Sequence, residues 1–335
     1  MRYTLLFAYI ASAILPLANL QSLQGKTADE EGATPEKLLQ KVQTSTDIRT
    51  TGSRPFRLTA AVKLFDEKGQ TQDGTYRLLW QAPTVWQDEL KFADFSQVRL
   101  ASGEKLFVSR NPTALSLEVF HLLSLLEFPK SVRLTLEGAT LKKLREVDTS
   151  GIREKAFEVI SRDKSSRTVY FDESSSLPVR IEYQNESAAQ FQDYAPFGDY
   201  QFPHTLLEQK WKKPFIQVHV QELEAASFAP TTFVPPVDAH SIRWCLNVTS
   251  GRLLPPYAPI PLPSSVAKKR VVIYGIIGTD GLWHDVQVVK SGGKEADAYW
   301  TKVLLKERFS PSTCGNEPVV QEVVVEFSGP ELPGP

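Results

Sequence analysis

Residues 56–65, FRLTAAVKLF, decide the fold: Phe56, Leu58, Ala60, Val62 and Leu64 point one way, and Arg57, Thr59, Ala61 and Lys63 the other. A two-residue period of this kind belongs to a strand with one face in a core and one toward water. The run ends in Asp66-Glu67-Lys68-Gly69, a turn composition. The same alternation returns in Tyr76/Leu78/Trp80, Val132/Leu134/Leu136, Val179/Ile181/Tyr183 and Ile216/Val218/Val220, with polar residues between. Many strands at short spacing, with few long helical stretches among them, predict a mainly β protein built on one antiparallel sheet that curls or closes.

Two stretches break the pattern. Thr34 can cap a helix that Pro35 opens, with Leu38, Leu39 and Val42 on its apolar face. From Thr113 to Phe128 the chain is too long and too apolar for a strand, and its leucines cover most of a helical circumference. Two readings of that helix stand: a buried core helix, or a hydrophobic lid or plug in the concave face of the sheet, with Leu115, Val119, Phe120, Leu122, Leu123 and Leu126 as candidate cavity or lid residues. His121, alone within it, reads as a satisfied core histidine.

The chain of 335 residues is long enough for two domains. Its 41% hydrophobic and 23% charged residues are those of a folded globular protein, and 38 Lys+Arg against 39 Asp+Glu leave no basic excess for a nucleic-acid binder. Arg2 and the apolar run Leu5 to Leu17, broken by Pro16, read as a secretory signal over residues 1–25, with an uncleaved inner-membrane anchor as the alternative. Removal of that segment would place the mature chain in the periplasm of a Gram-negative source. Prolines crowd residues 227–265, at Pro230, Pro235, Pro236, Pro255, Pro256, Pro259, Pro261 and Pro263, which predicts a linker interrupted by the edge-strand pattern of Ile242, Trp244 and Leu246.

Beyond the linker lies a small α+β pattern: a strand over 269–278, an Asp280-Gly281 turn, a returning strand to Lys290, a helix over 295–307 and the final strand PVVQEVVVEF. In that strand Val319, Val323, Val325 and Phe327 face one way, Glu322 and Glu326 the other.

Catalytic and metal residues are not expected. The five histidines, His121, His204, His219, His240 and His284, form no H-E-x-x-H or H-x-x-x-H pair, no G-x-S-x-G elbow is present, and Asp172-Glu173 sits in a turn. Gly275, Gly278 and Gly281 mimic a phosphate loop, but a strand follows where a helix would be needed, so no nucleotide cofactor is expected. Cys245 and Cys314 would pair in an exported chain, with free structural thiols as the other reading.

Asp280, Gly281, Ser291, Gly292, Phe309, Pro311 and Pro318 keep the order of landmarks found in the TonB C-terminal domain family, which residues 255–328 resemble. The resemblance implies a domain over 266–328 that docks on an outer-membrane receptor or another envelope protein by adding a strand, through Val319, Val320, Gln321, Val323, Val325 and Phe327. Asp172, Leu177-Pro178, Asp193-Tyr194, Gly198 and Phe202-Pro203 resemble the second half of the lipoprotein carrier LolA. That implies a curled antiparallel half-barrel over 34–226 with a helical lid, sheltering a lipid or acylated protein. Together these give a non-enzymatic periplasmic binding protein; a purely protein-binding adaptor and an anchored energy transducer are the alternatives.

Overall fold

The computed structural model describes residues 34–129, 139–149, 151–161, 165–184, 186–245, 248–249, 251–254 and 262–327. The expected signal segment, the Val132/Leu134/Leu136 strand, Leu246 and the prolines from Pro255 to Pro261 lie outside them.

Helix α1 (Pro35–Thr46) starts as its sequence dictates, with the Thr34 hydroxyl accepting from the Lys37 amide at 3.3 Å and Leu38, Leu39 and Val42 buried. Five strands follow in a meander: β1 (Phe56–Phe65), β2 (Thr71–Ala82), β3 (Val85–Lys91), β4 (Ser96–Ser102) and β5 (Lys105–Asn111). Helix α2 (Leu117–Leu126) separates these from β6 (Thr140–Leu141), β7 (Arg145–Thr149), β8 (Ile152–Ile160) and β9 (Ser166–Asp172). A second meander is completed by β10 (Pro178–Tyr183), β11 (Ala188–Phe197), β12 (Tyr200–Lys210) and β13 (Lys213–Ala225).

The two meanders join where β1 pairs with β13, Phe56 opposite Ala225 and Leu64 opposite Ile216. With β14 (His240–Arg243) on β5, the sheet runs β14-β5-β4-β3-β2-β1-β13-β12-β11-β10-β9-β8-β6, with β7 also on β8. It is antiparallel and open, because its end strands β14 and β6 are not paired with each other. Register shifts at Thr59/Ala60, Trp80/Ala82, Pro178/Arg180 and Glu208/Gln209 bend it. Each is an irregularity of the kind that raises local twist, so the sheet curls into a trough. Phe56, Leu58, Ala60, Val62 and Leu64 are all at most 5% exposed, on the inner face that the alternation assigned to them.

The helix expected over Thr113–Phe128 begins only at Leu117, because the Ser116 hydroxyl caps it by accepting from the Val119 amide at 3.2 Å.

The Pro-rich stretch is sewn into both halves of the chain. β14 extends the large sheet, β15 (Val248–Thr249) pairs with β20 (Ser312–Cys314), and β16 (Arg252–Leu253) with β19 (Phe309–Ser310). The tail adds α3 (Ser264–Ala267), β17 (Val271–Ile277), β18 (Trp283–Lys290), α4 (Lys294–Leu304), β21 (Glu317–Val319) and β22 (Gln321–Phe327). Its sheet has the order β18-β17-β22. Gly281 turns β17 toward β18 at φ +73°, and a Cβ there would fall 2.0 Å from the Phe309 carbonyl oxygen, so only glycine fits.

The expected final strand is divided at Val320. Val319 belongs to β21 and pairs with Ser312 of β20, whereas Gln321 onward pairs with β17; the chain changes sheets between them.

Two strands of the tail sheet, β17 and β22, are covered on both faces. Ile273, Ile277, Val323, Val325 and Phe327 pack with α3 and α4, Trp300 stacking on Phe327 at 4.0 Å. Val272, Tyr274 and Val324, on the opposite face, join the core of the trough.

Candidate functional site

The candidate site is the trough and its closure. Leu115, Val119, Phe120, Leu122, Leu123 and Leu126 are brought together inside it, each at most 7% exposed. The helix packs against β13 and against β22 of the tail. The apolar positions cover most of the helix and are buried, Glu118, His121 and Ser124 form a partly exposed polar stripe, and the tail supplies part of the cover. Beyond its C-terminus Phe128 packs on Phe191 at 4.5 Å and on Phe202 at 6.1 Å between ring centres.

Polar contacts fix the position of α2. Arg49 donates to the Leu126 carbonyl at 2.8 Å, answering one of the helix's unpaired C-terminal acceptors. His121 meets the Glu208 carboxylate at 2.6 Å and stands edge-on to Phe215, the satisfied histidine expected there.

The strand directions place the mouth of the trough. Alternating antiparallel pairing makes β5 and β12 run parallel to β1, so Arg110 near the end of β5, Lys210 at the end of β12 and Glu67 just past β1 all lie at one end of the sheet. The tail sits across that end. Arg110 donates to both oxygens of Glu322 at 2.6 and 2.9 Å, and the Tyr274 hydroxyl donates to Glu322 at 2.6 Å. Arg110 also donates to Gln97 Oε1 at 2.7 Å and the Thr113 carbonyl at 3.0 Å. Thirteen or so Å along β22, at the strand rise, Glu326 is gripped by Lys210 and Arg270. Lys210 lies over the Trp211 ring at 4.8 Å and the Phe215 ring at 5.4 Å. Glu67 in turn meets Arg270 and, at 2.5 Å, Lys290.

Burial alone would raise the carboxyls of Glu322 and Glu326. Arg110 and Tyr274 overcome it for the first, Lys210 and Arg270 for the second, and both are held below the ordinary carboxylate value. Deeper in the wall, Arg99 donates to Asp88 at 3.0 and 3.1 Å, and burial beside Asp88 pushes the Tyr76 hydroxyl well up.

The sequence pattern separated the Glu face of the last strand from its Val face without giving the Glu face a task. It is the fastening of the tail. Of the expected docking residues, Val319, Val323, Val325 and Phe327 are at most 7% exposed, with Val320 and Gln321 half-buried. β22 has β17 on one edge and no strand on the other among the described residues. The other border strand, β18, exposes His284, Asp285, Gln287 and Val288.

Cys245 and Cys314 form a disulfide, with Cα atoms 6.0 Å apart, tying the end of β14 to the end of β20. Among the described residues no group of three or more His, Cys, Asp or Glu could hold a metal ion, and no helix is long and apolar enough to cross a membrane.

No protein-family model and no curated protein matches the sequence. Among solved structures, a LolA superfamily protein from Nitrosomonas europaea overlays with a TM-score of 0.39 at 11% identity, covering 61% of this chain and 98% of that one. A putative outer membrane lipoprotein-sorting protein domain from Vibrio parahaemolyticus gives 0.39 at 12%, covering 59% and 94%. The MucA/MucB complex of Pseudomonas aeruginosa gives 0.29 at 12%, covering 86% and 92%. With these TM-scores below 0.5, the architecture rests on the strand order itself.

Proposed function

We propose that the chain is a non-enzymatic, exported binding protein of the periplasm. Its half-barrel, residues 34–226, shelters the acyl chain of a lipid or acylated protein in the trough that α2 fills. One observation carries this: a ten-residue helix, seven of its residues buried and apolar, lies in the apolar core of the curled sheet. Hydrocarbon can replace leucine side chains there at little net cost, since each buried methylene contributes about 0.8 kcal/mol wherever it comes from.

Residues 266–328, joined through the Pro-rich stretch 227–265, act in this reading as a TonB C-terminal-like domain gripping an outer-membrane partner or another envelope protein. The order of strand, Asp-Gly turn, strand, helix and strand supports it, as does the position of β22 at the border of its sheet.

Lipid extraction and mass spectrometry of the purified chain, with uptake of a fluorescent fatty acid, test the reading. Co-purifying lipid or saturable uptake supports it. Their joint absence supports the second reading, a purely protein-binding adaptor, which is favoured by the trough being filled by the chain's own side chains.

A further inference from the structure

The residues that fasten the tail do more than join two units. Two cations at the mouth, Arg110 and Lys210, belong to the half-barrel, and their carboxylate partners, Glu322 and Glu326, come from one strand of the tail, whose Arg270 shares Glu326. Between the two acids Val324 enters the apolar core. β22 thus presents anionic groups to a basic rim and an apolar group to the space behind it, the arrangement of an anionic amphiphile.

Part of the rim is held by the half-barrel itself, where Arg110 donates to Gln97 and to the Thr113 carbonyl. With the tail in place the Arg110 side chain is 4% exposed and Glu322 is its carboxylate partner, so withdrawal of Glu322 takes the counter-ion away from the guanidinium. Beside it Gln97 is 1% exposed. Since arginine only donates, Gln97 must turn its oxygen to Arg110 Nε, and its amide nitrogen is left buried with no acceptor among the described residues. An unused buried donor next to a cation calls for a ligand oxygen.

Resting on the proposed acyl-binding trough, we infer that Arg110 with Gln97, seconded by Lys210, is the site for the anionic head of an acyl amphiphile, a carboxylate or phosphate. In the state described here the tail strand occupies that site. Ligand and tail are then mutually exclusive, so head-group binding frees β22.

The test titrates the full chain with oleate, its methyl ester and oleyl phosphate. Arg110→Gln should weaken oleate binding about tenfold relative to that of the ester, the scale of one charged hydrogen-bonded contact. Glu322→Gln/Glu326→Gln, which removes the internal competitor, should strengthen oleate binding about tenfold. Tighter binding of oleate or of oleyl phosphate identifies the head as carboxylate or phosphate. Should the double variant fail to fold, the unaltered chain serves: oleate, and not the ester, should make the tail sensitive to protease. Equal affinity for acid and ester, unaffected by Arg110→Gln, overturns the head-group site and leaves the acyl trough standing. No binding of any probe overturns both.

Discussion

The pair Lys210–Glu326 is the most exacting test of how the tail is held. Each side chain is 8% exposed, and Arg270 reaches the same carboxylate. Glu326→Leu strands Lys210 nearly out of water, and removing one partner of a buried pair generally costs about 3–5 kcal/mol. The lower end applies, because Lys210 keeps its two aromatic faces and Arg270 keeps Glu67. A loss of about 3 kcal/mol corresponds to a melting temperature lower by roughly 5–10 °C for a chain of this size. Lys210→Met should cost a similar amount. The double variant Lys210→Met/Glu326→Leu should recover more than half of the sum, since two apolar groups leave no orphan charge. Urea unfolding of the four proteins closes the cycle. Single costs under about 1 kcal/mol, the value of an exposed pair, would refute the closed arrangement of tail and trough.

Acid should loosen the same contact. Glu322 and Glu326 are held below the ordinary carboxyl value of 4.5, so their contribution is complete above that value and is lost as pH falls through it toward their folded-state values; tryptophan fluorescence followed from neutral pH downward should report tail release below about pH 4.5 and none above it. Leu122 is 0% exposed, and Leu122→Ala should cost about 2–5 kcal/mol in denaturant unfolding. Cys314→Ser opens a loop of sequence separation 69 and should cost about 4 kcal/mol on the chain-entropy account. Intact mass without reductant should be lower than with it by two hydrogen atoms.

The large sheet was legible because inward residues such as Leu58 and Val62 alternate with Arg57 and Lys63, and that period has one structural meaning. α1 was legible from Thr34 and Pro35 for the same kind of local reason. The start of α2 was not, since the apolar run marks the helix without marking its first residue, which the Ser116 cap sets in the folded chain. The division at Val320 was hidden because a run of valines fits two adjacent short strands as well as one long one. Least visible was the assignment of Glu322 and Glu326: the pattern gave them a common face, but their partners Arg110 and Lys210 lie 212 and 116 residues away. No local signal spans such a distance.

Hydrogen exchange of the α2 amides, residues 117–126, measured in the whole chain and in Glu322→Gln/Glu326→Gln, bears most directly on the sandwiched helix. Protection near that of β1 in the unaltered chain, collapsing in the variant while β1 stays protected, is the predicted result. Rapid exchange of α2 in the unaltered chain, or identical protection in both proteins, would contradict a trough closed by its own tail.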